Sequence, residues 1–152
     1  MQEENDRLQI ANLLVKHLKK VESIRNHILK EYYEERTTER DNFKDMIDKY
    51  IGYVKGFMDA HIKDTREEHW PMILIDSIAE VQDMDYGEIE RIKIVPPFYG
   101  NRAEGLDCAS CLSPVGNALL LKKVGDEVTV KTPLGRSRFL VKSIKIPMAN
   151  DL

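Results

Sequence analysis

The sequence predicts an α+β protein, with an antiparallel α-helical hairpin over residues 1–70 followed by a sheet domain over residues 71–152. Between residues 6 and 68 there is no proline and only two glycines, whereas all six prolines and six of the eight glycines follow Trp70. A stretch without breakers is typical of helix, and frequent prolines and glycines are typical of strands and turns. The change of composition therefore divides the chain into two halves.

Two apolar stripes predict the helices of the first half. In each stripe, apolar residues recur at steps of three and four, which places them on one face of a helix. The stripes are Ile10, Leu14, Leu18, Val21, Ile24 and Ile28, and then Phe43, Met46, Tyr50, Tyr53, Phe57 and Ala60. Residues 34–41 between them contain no apolar side chain, and Thr37 or Thr38 can cap a new helix. A hairpin is favoured over the alternative, one continuous helix of about 60 residues.

The sequence of the second half predicts short strands and one short helix. Alternating or β-branched runs indicate strands over residues 73–82, 89–95, 128–131 and 138–146. The helix is expected over residues 112–121, with Ser113 as its N-cap and Pro114 as its first residue, where the missing N–H costs nothing.

Composition excludes several classes of function. The 23 basic and 26 acidic residues give a net charge of −3, which argues against a protein that grips nucleic-acid phosphates, so no specific DNA binding is expected. No apolar run approaches the ~18 residues that a membrane span needs, and the N-terminus lacks a secretory signal. We therefore expect a cytoplasmic protein with no membrane partner, in which Cys108 and Cys111 are reduced thiols.

Acidic residues are concentrated around the expected turn of the hairpin. Seven carboxylates and three cations give residues 31–48 a net charge of −4. Carboxylates that are crowded at a turn favour a nearby metal ion or a basic pocket. The acidic members are Glu31, Glu34, Glu35, Glu39, Asp41, Asp45 and Asp48, and the basic members are Arg36, Arg40 and Lys44.

Residues 113–135 resemble the C-terminal signature of the bacterial transcript cleavage factors, the GreA/GreB family. That signature runs S-P-x-G-x-A-L-L-G-K-x-x-G-D-x-V-x-V-x-T-P-x-G, and most of it is present here from Ser113 to Gly135. Upstream, residues 56–64 (Gly-Phe-Met-Asp-Ala-His-Ile-Lys-Asp) are similar to the family's G-F-x-E-x-R-I-x-D stretch. Asn117 and Leu121 depart from the signature, which prefers arginine and glycine there, so the chain resembles a divergent member.

The resemblance implies both a fold and a partner. It implies a long coiled-coil hairpin joined to an FKBP-like β-grasp domain, and a protein that binds bacterial RNA polymerase at its secondary channel. The globular domain would contact the polymerase through Ser113 and Pro114, and less certainly through Asp107. Two acidic residues at the hairpin tip would help to seat a second Mg²⁺, shared with the polymerase, which then cleaves backtracked RNA. Contact with the RNA 3′ end would be indirect, and the chain would not itself be an enzyme.

The tip departs from the family pattern D-x-x-E-N-x-E-Y. Alignment from Gly56-Phe57 places Asp41 on the aspartate of the motif and Lys44 on its glutamate. Asp41 is therefore the expected metal ligand, and Asp45 is the neighbouring carboxylate that could assist, although one residue turns it by ~100° around the helix. Glu39 and Asp48 are the other possible partners of Asp41. A secondary-channel regulator or inhibitor without cleavage activity, and a plain helical interaction module, remain the alternatives.

Overall fold

The computed structural model describes residues 2–61, 72–98 and 106–145, with the helical side chains described from Ala11 to Ala60. The chain divides into two compact units, one helical and one built on a sheet. The predicted boundary between residues 70 and 71 lies outside the described residues. Within the described part of the chain, none of the helices is long and apolar enough to cross a membrane.

The helical unit is an antiparallel pair, α1 (Gln2–Glu31) and α2 (Thr38–His61), joined by residues 32–37. Its direction follows from the contacts between the helices, because Glu22 pairs with Lys55 and Arg25 pairs with Asp48. The apolar interface has nine buried members: Leu14, Leu18, Val21, Ile28, Phe43, Ile47, Tyr50, Ile51 and Val54. The predicted hairpin is confirmed, and the alternative of one continuous helix is wrong.

The second predicted stripe is only partly correct. Phe43 and Tyr50 are buried, but Tyr53 is 48% exposed, and the aliphatic residues Ile47 and Val54 are buried in addition. Two apolar faces that share Phe43 and Tyr50 fit the sequence of α2 almost equally well, because Ile47 and Val54 lie only about 100° around the helix from Met46 and Tyr53. The structure buries the face with more branched aliphatic side chains, which leaves the hydroxyl of Tyr53 in water. Met46 and Phe57 are half-buried and Ala60 is exposed. In the first stripe Ile24 is half-buried, and the side chain of Ile10 lies outside the described residues.

The second unit is a five-stranded mixed sheet in the order β3-β2-β1-β5-β4. Its strands are β1 (Ile78–Asp83), β2 (Ile89–Val95), β3 (Asp107–Ser110), β4 (Glu127–Thr132) and β5 (Gly135–Lys145). Every pairing is antiparallel except that of β2 with β3, which is parallel. Helix α3 (Pro114–Leu119) connects β3 to β4. The predicted α+β class is confirmed.

Three strand predictions need correction. Strand β5 begins at Gly135 rather than at residue 138, because residues 135–137 pair with residues 130–132 of β4. The first strand begins at Ile78 rather than at residue 73, because a turn precedes it. Ser77 Oγ donates a hydrogen bond to the Leu74 carbonyl at 2.6 Å and accepts one from the Leu74 N–H at 3.0 Å. Residues 73–75 are apolar because they are buried beside this turn, and not because they form a strand. Strand β3 was not predicted, since its four residues, Asp-Cys-Ala-Ser, carry no strand pattern of their own and depend on pairing with β2.

Helix α3 is shorter than predicted but begins as expected. Ser113 is its N-cap and Pro114 occupies the first turn. The helix ends at Leu119, and Leu121 then adopts a left-handed conformation with φ of 69°. Neither Cys108 nor Cys111 forms a disulfide, and burial raises the pKa of Cys111 to about 12, so Cys111 stays protonated at neutral pH.

Candidate functional site

The hairpin tip is organised by Thr37 and Arg40. The hydroxyl of Thr37 accepts a hydrogen bond from the Arg40 N–H at 3.2 Å, which satisfies one of the free donors at the start of α2. The Arg40 side chain reaches back across the turn, and its Nε donates to the Tyr33 carbonyl at 3.0 Å. The ring of Tyr33 also packs on Phe43 with centroids 5.7 Å apart. The turn is therefore held to the helix that follows it.

Asp41 lies in the first turn of α2 and is exposed to solvent. The N-terminus of a helix favours negative charge, so the placement is stable without a cationic partner. Among the described residues, no ion pair involves the Asp41 carboxylate. Its position at the tip and its exposure are those that the sequence predicted for an outward-directed carboxylate.

Asp45 and Lys44 are both engaged in ion pairs along α2. Asp45 pairs with Lys49 at 2.9 Å, and Lys44 Nζ lies 2.8 Å from Asp48 Oδ2. The spacing of four residues places Asp45 on the same face of the helix as Asp41. Lys44 lies about 100° around the helix from Asp45, and its ammonium is bonded to Asp48, so the exposed surface of α2 is mixed in charge rather than purely acidic.

Asp48 connects the tip to the first helix. Its second carboxylate oxygen accepts a hydrogen bond from Arg25 of α1 at 3.0 Å. The hydrogen bond from Lys44 lowers the pKa of Asp48, the contact with Arg25 lowers it further, and partial burial opposes both. Asp48 therefore acts as the bridge between two cations and is not available as a partner for Asp41.

The tip does not form a metal site by itself. Among the described residues, no group of three or more histidine, cysteine, aspartate and glutamate side chains could hold a metal ion. Asp41 and Glu39 are the predicted ligands whose carboxylates form no ion pair in the described part of the tip, and both lie exposed in the first turn of α2. The turn contains a cavity of about 340 Å³ that is lined by Glu31, Tyr32, Tyr33, Glu34, Glu35 and Thr37.

Ser113 and Gly116 fix the start of α3 against strand β3. Ser113 Oγ accepts a hydrogen bond from the Gly116 N–H at 3.1 Å and donates one to the Ser110 carbonyl at 2.7 Å. A Cβ on Gly116 would overlap that same carbonyl, so only glycine permits this approach of helix to strand. The serine and glycine of the predicted signature therefore have a structural role, and Pro114 is exposed beside them.

Asp107 and Ser113 line one cavity on the sheet unit. The cavity has a volume of about 360 Å³ and lies between β2, β3 and the start of α3. Its apolar lining is Ile92, Ala109, Val115 and Phe139, and its polar lining is Glu90, Asp107, Cys108, Ser110 and Ser113. Two of the three partner-binding residues that the sequence predicted thus meet at one place, and Pro114 is outside the lining.

Glu90 is the cavity residue that sequence reasoning missed. It lies two residues before Ile92 and four before Ile94, which are both buried, so its side chain extends from the same face of β2. Burial raises the pKa of Glu90, and the nearby carboxylates of Asp107, Asp83 and Glu88 raise it further. The signal was present in the sequence, because strict alternation places this carboxylate on an otherwise apolar face.

Comparison with known proteins identifies the family. The family model described as "Transcription elongation factor, GreA/GreB, C-term" matches residues 68–146, slightly more than half of the chain. The match includes the whole of the described sheet unit, with Ser113, Gly116 and the cavity residues.

Curated relatives agree with this match. The chain is 32% identical to transcription elongation factor GreA of Nitratidesulfovibrio vulgaris over 102 residues, covering 59% of this chain and 62% of the relative. It is 36% identical to GreA of Clostridium novyi over 87 residues, covering 57% of this chain and 54% of the relative. The aligned part of the chain thus spans less than two thirds of the length of these relatives. Among solved structures, the GreA factor homolog Gfh1 of Thermus thermophilus is 23% identical with a TM-score of 0.44, over 91% of each chain.

Proposed function

The chain belongs to the GreA/GreB family of transcription elongation factors, and from this premise we propose that it binds bacterial RNA polymerase and regulates elongation. In this proposal the helical hairpin enters the secondary channel of the polymerase, and the sheet unit binds at the rim of that channel. The chain is not an enzyme in its own right; any RNA hydrolysis takes place at the active site of the polymerase.

The exposed Asp41 at the start of α2 is the observation that supports insertion of the tip. A two-helix hairpin has one buried interface, and its outer surface is exposed to solvent. An element that enters a narrow channel of another protein can have this form. Its turn carries charged and polar side chains, which remain solvated until they meet a partner. Asp41 is proposed as the carboxylate directed at the polymerase active site, with Asp45 as its neighbour.

The ion pairs of the tip favour regulation over stimulated cleavage. Lys44 occupies the position at which the family carries a glutamate, and it is paired with Asp48. Asp45 is paired with Lys49. A second Mg²⁺ at the polymerase would then meet the ammonium of Lys44, which repels it. The carboxylates without an ion pair, Asp41 and Glu39, are two residues apart and so lie about 160° from each other around the helix, which prevents them from binding one ion together. The described residues do not fit a pair of metal ligands, so the proposed action is to occupy the channel, and Mg²⁺ seating is limited to what Asp41 contributes.

A cleavage assay on backtracked polymerase separates the two modes of action. Stalled, backtracked complexes are incubated with Mg²⁺ and the protein, and the length of the labelled RNA is followed. We expect the native chain to slow nucleotide addition without shortening the RNA. The variant Lys44→Glu is expected to shorten it, since it restores a carboxylate on the aligned position. Rapid shortening by the native chain would overturn the regulatory mode.

Matched variants identify which residue acts. Asp41→Asn in the Lys44→Glu background should abolish the gained cleavage, because it removes the unpaired carboxylate. Glu127→Gln, an exposed change on β4, is the control and should behave like its parent in every assay. If Lys44→Glu gains no cleavage while its binding to the polymerase is unchanged, the alignment of the tip is wrong.

Insertion of the hairpin is tested by cross-linking. A benzophenone amino acid replaces Glu35, an exposed residue of the turn. Irradiation of the elongation complex should attach it to the largest polymerase subunits near the active site. Attachment to a second copy of this chain, together with a dimer in sedimentation, would instead support the plain helical interaction module.

A further inference from the structure

We propose that the cavity on the sheet unit receives an arginine side chain of the protein partner, whose guanidinium group faces the carboxylates of Glu90 and Asp107. The inference rests on the proposed function for the identity of that partner, RNA polymerase, but not for the chemistry of the cavity. It assigns the rim contact to a basic side chain on the polymerase and adds Glu90 to the residues that bind it.

The lining of the cavity matches the two ends of an arginine. Glu90 and Asp107 supply negative charge at one end, while Ile92, Val115 and Phe139 supply an apolar surface. Arginine has an apolar methylene stem and a planar guanidinium group that pairs with carboxylates and stacks on aromatic rings. Among the described residues that line the cavity there is no lysine, arginine or histidine, so a cation from outside would meet no repulsion there.

The position of Glu90 is costly for the isolated protein. A carboxylate on the buried face of a strand loses hydration, and in this case three further carboxylates disfavour its charge. The cations of β2 itself, Arg91 and Lys93, alternate with Glu90 and so extend from the opposite face of the strand. On β5, Arg138 is paired with Asp85 at 3.2 Å. An incoming guanidinium would relieve the repulsion between Glu90 and Asp107, which accounts for a charged side chain where an apolar one would pack better.

The chemistry is tested first without a polymerase. The full chain, labelled with ¹⁵N, is titrated with N-acetyl-arginine amide and, as a neutral ligand of the same length, with N-acetyl-citrulline amide. We expect arginine to shift the backbone amides of Glu90, Asp107 and Ser113, and citrulline to shift them far less. Equal shifts from both ligands, or larger shifts from N-acetyl-lysine amide, would overturn the proposal.

Matched variants then locate the binding groups. The double variant Glu90→Gln with Asp107→Asn should lose the arginine-specific shifts, whereas the control Glu127→Gln should keep them. Glu90→Gln retains the size of the side chain and removes an unfavourable charge, so its melting temperature should not fall, and a loss of binding cannot be attributed to unfolding. Unchanged arginine shifts in the double variant would overturn the proposal.

Polymerase binding supplies the second readout. Each single variant should raise the Kd for RNA polymerase by about fivefold, the size expected for one partly solvated charge pair. If the native chain does not bind polymerase, the proposed function fails while the arginine titration still tests the cavity. If the native chain binds and the variants bind equally well, the proposed function stands and the assignment of the cavity is wrong.

Discussion

Nε2 of His17 on α1 lies 2.7 Å from the hydroxyl oxygen of Tyr50 on α2, within the buried interface of the hairpin. The two rings meet edge to face with centroids 6.0 Å apart. A polar pair in an apolar interface fixes which residues of the two helices face each other, because any shift along the axis would separate the pair. The pair therefore fixes the register of the two helices that carry the tip.

Removal of the Tyr50 hydroxyl should destabilise the hairpin. Tyr50→Phe deletes the partner of Nε2 while the imidazole remains buried, and we expect a loss of about 1–2 kcal/mol in the free energy of unfolding. Urea denaturation followed by circular dichroism measures it. The double variant His17→Leu with Tyr50→Phe should recover part of the loss, because the imidazole is then no longer buried without the hydroxyl of Tyr50. A double variant less stable than Tyr50→Phe would contradict this account.

Acid should weaken the hairpin through Asp48. The pKa of Asp48 in the folded chain lies below its ordinary value of 3.8, chiefly because Lys44 donates a hydrogen bond to it. The ionised carboxylate therefore contributes stability above about pH 4, and this contribution is lost as pH falls through the folded pKa. Asp48→Asn should lower the free energy of unfolding at neutral pH, by less than about 1 kcal/mol because the side chain is 37% exposed, and thermal unfolding measures the change. The difference should vanish at low pH, and Asp45→Asn, in a more exposed pair, should show less of it.

Glu90 should give the opposite dependence on pH. Its pKa in the folded chain is raised, first by burial and then by Asp107. The protonated form is therefore favoured in the folded state, and stability increases as pH falls through the folded pKa. Glu90→Gln should raise the melting temperature at neutral pH and have no effect once the native carboxyl is protonated. A lower melting temperature for Glu90→Gln at neutral pH would show that a cationic neighbour already stabilises the carboxylate.

Gly116→Ala should disrupt the sheet unit. The added methyl group would overlap the backbone carbonyl of Ser110, which cannot move without breaking the bond between Ser113 and that carbonyl. We expect a loss of about 3 kcal/mol or more, the upper end for overpacking, measured by thermal unfolding. Asn117→Ala, one residue further along α3 and exposed, should change stability by less than about 0.5 kcal/mol.

Ser113 should prove mainly structural. Ser113→Ala removes the N-cap of α3, and the expected cost is about 1 kcal/mol of stability. Ser113→Asp preserves an acceptor for the Gly116 N–H but loses the donor to the Ser110 carbonyl, so it should regain only part of that stability. If both variants bind polymerase as the native chain does at a temperature where each is folded, the serine acts through the fold. A loss of binding by the stably folded Ser113→Asp would assign a direct contact to the hydroxyl.

Local patterns in the sequence predicted the elements whose formation depends on near neighbours. The two helices without proline, the cap near Thr37 and the Ser-Pro start of α3 each depend on residues within four positions, and each is confirmed. The position of Asp41 in the first turn of α2 follows from the same local reasoning. The proposed roles of Asp41, Asp45, Pro114 and Asp107 toward a partner stay predictions, because they depend on contacts outside the chain.

Tertiary contacts decided everything that joins residues distant in the sequence. Which of two apolar faces α2 buries depends on α1, and strand β3 exists because it pairs with β2. Only in the folded chain does Asp48 lie between Arg25 and Lys44. In the same way, folding brings Glu90, Asp107 and Ser113 together around one cavity. The sequence by itself determined the helical and sheet units and the residues at their turns, since backbone propensity and capping act over a few residues. Charge pairing and cavity formation depend on contacts between residues that are distant in the sequence. Only the folded structure therefore decides which carboxylates are in ion pairs and which are not.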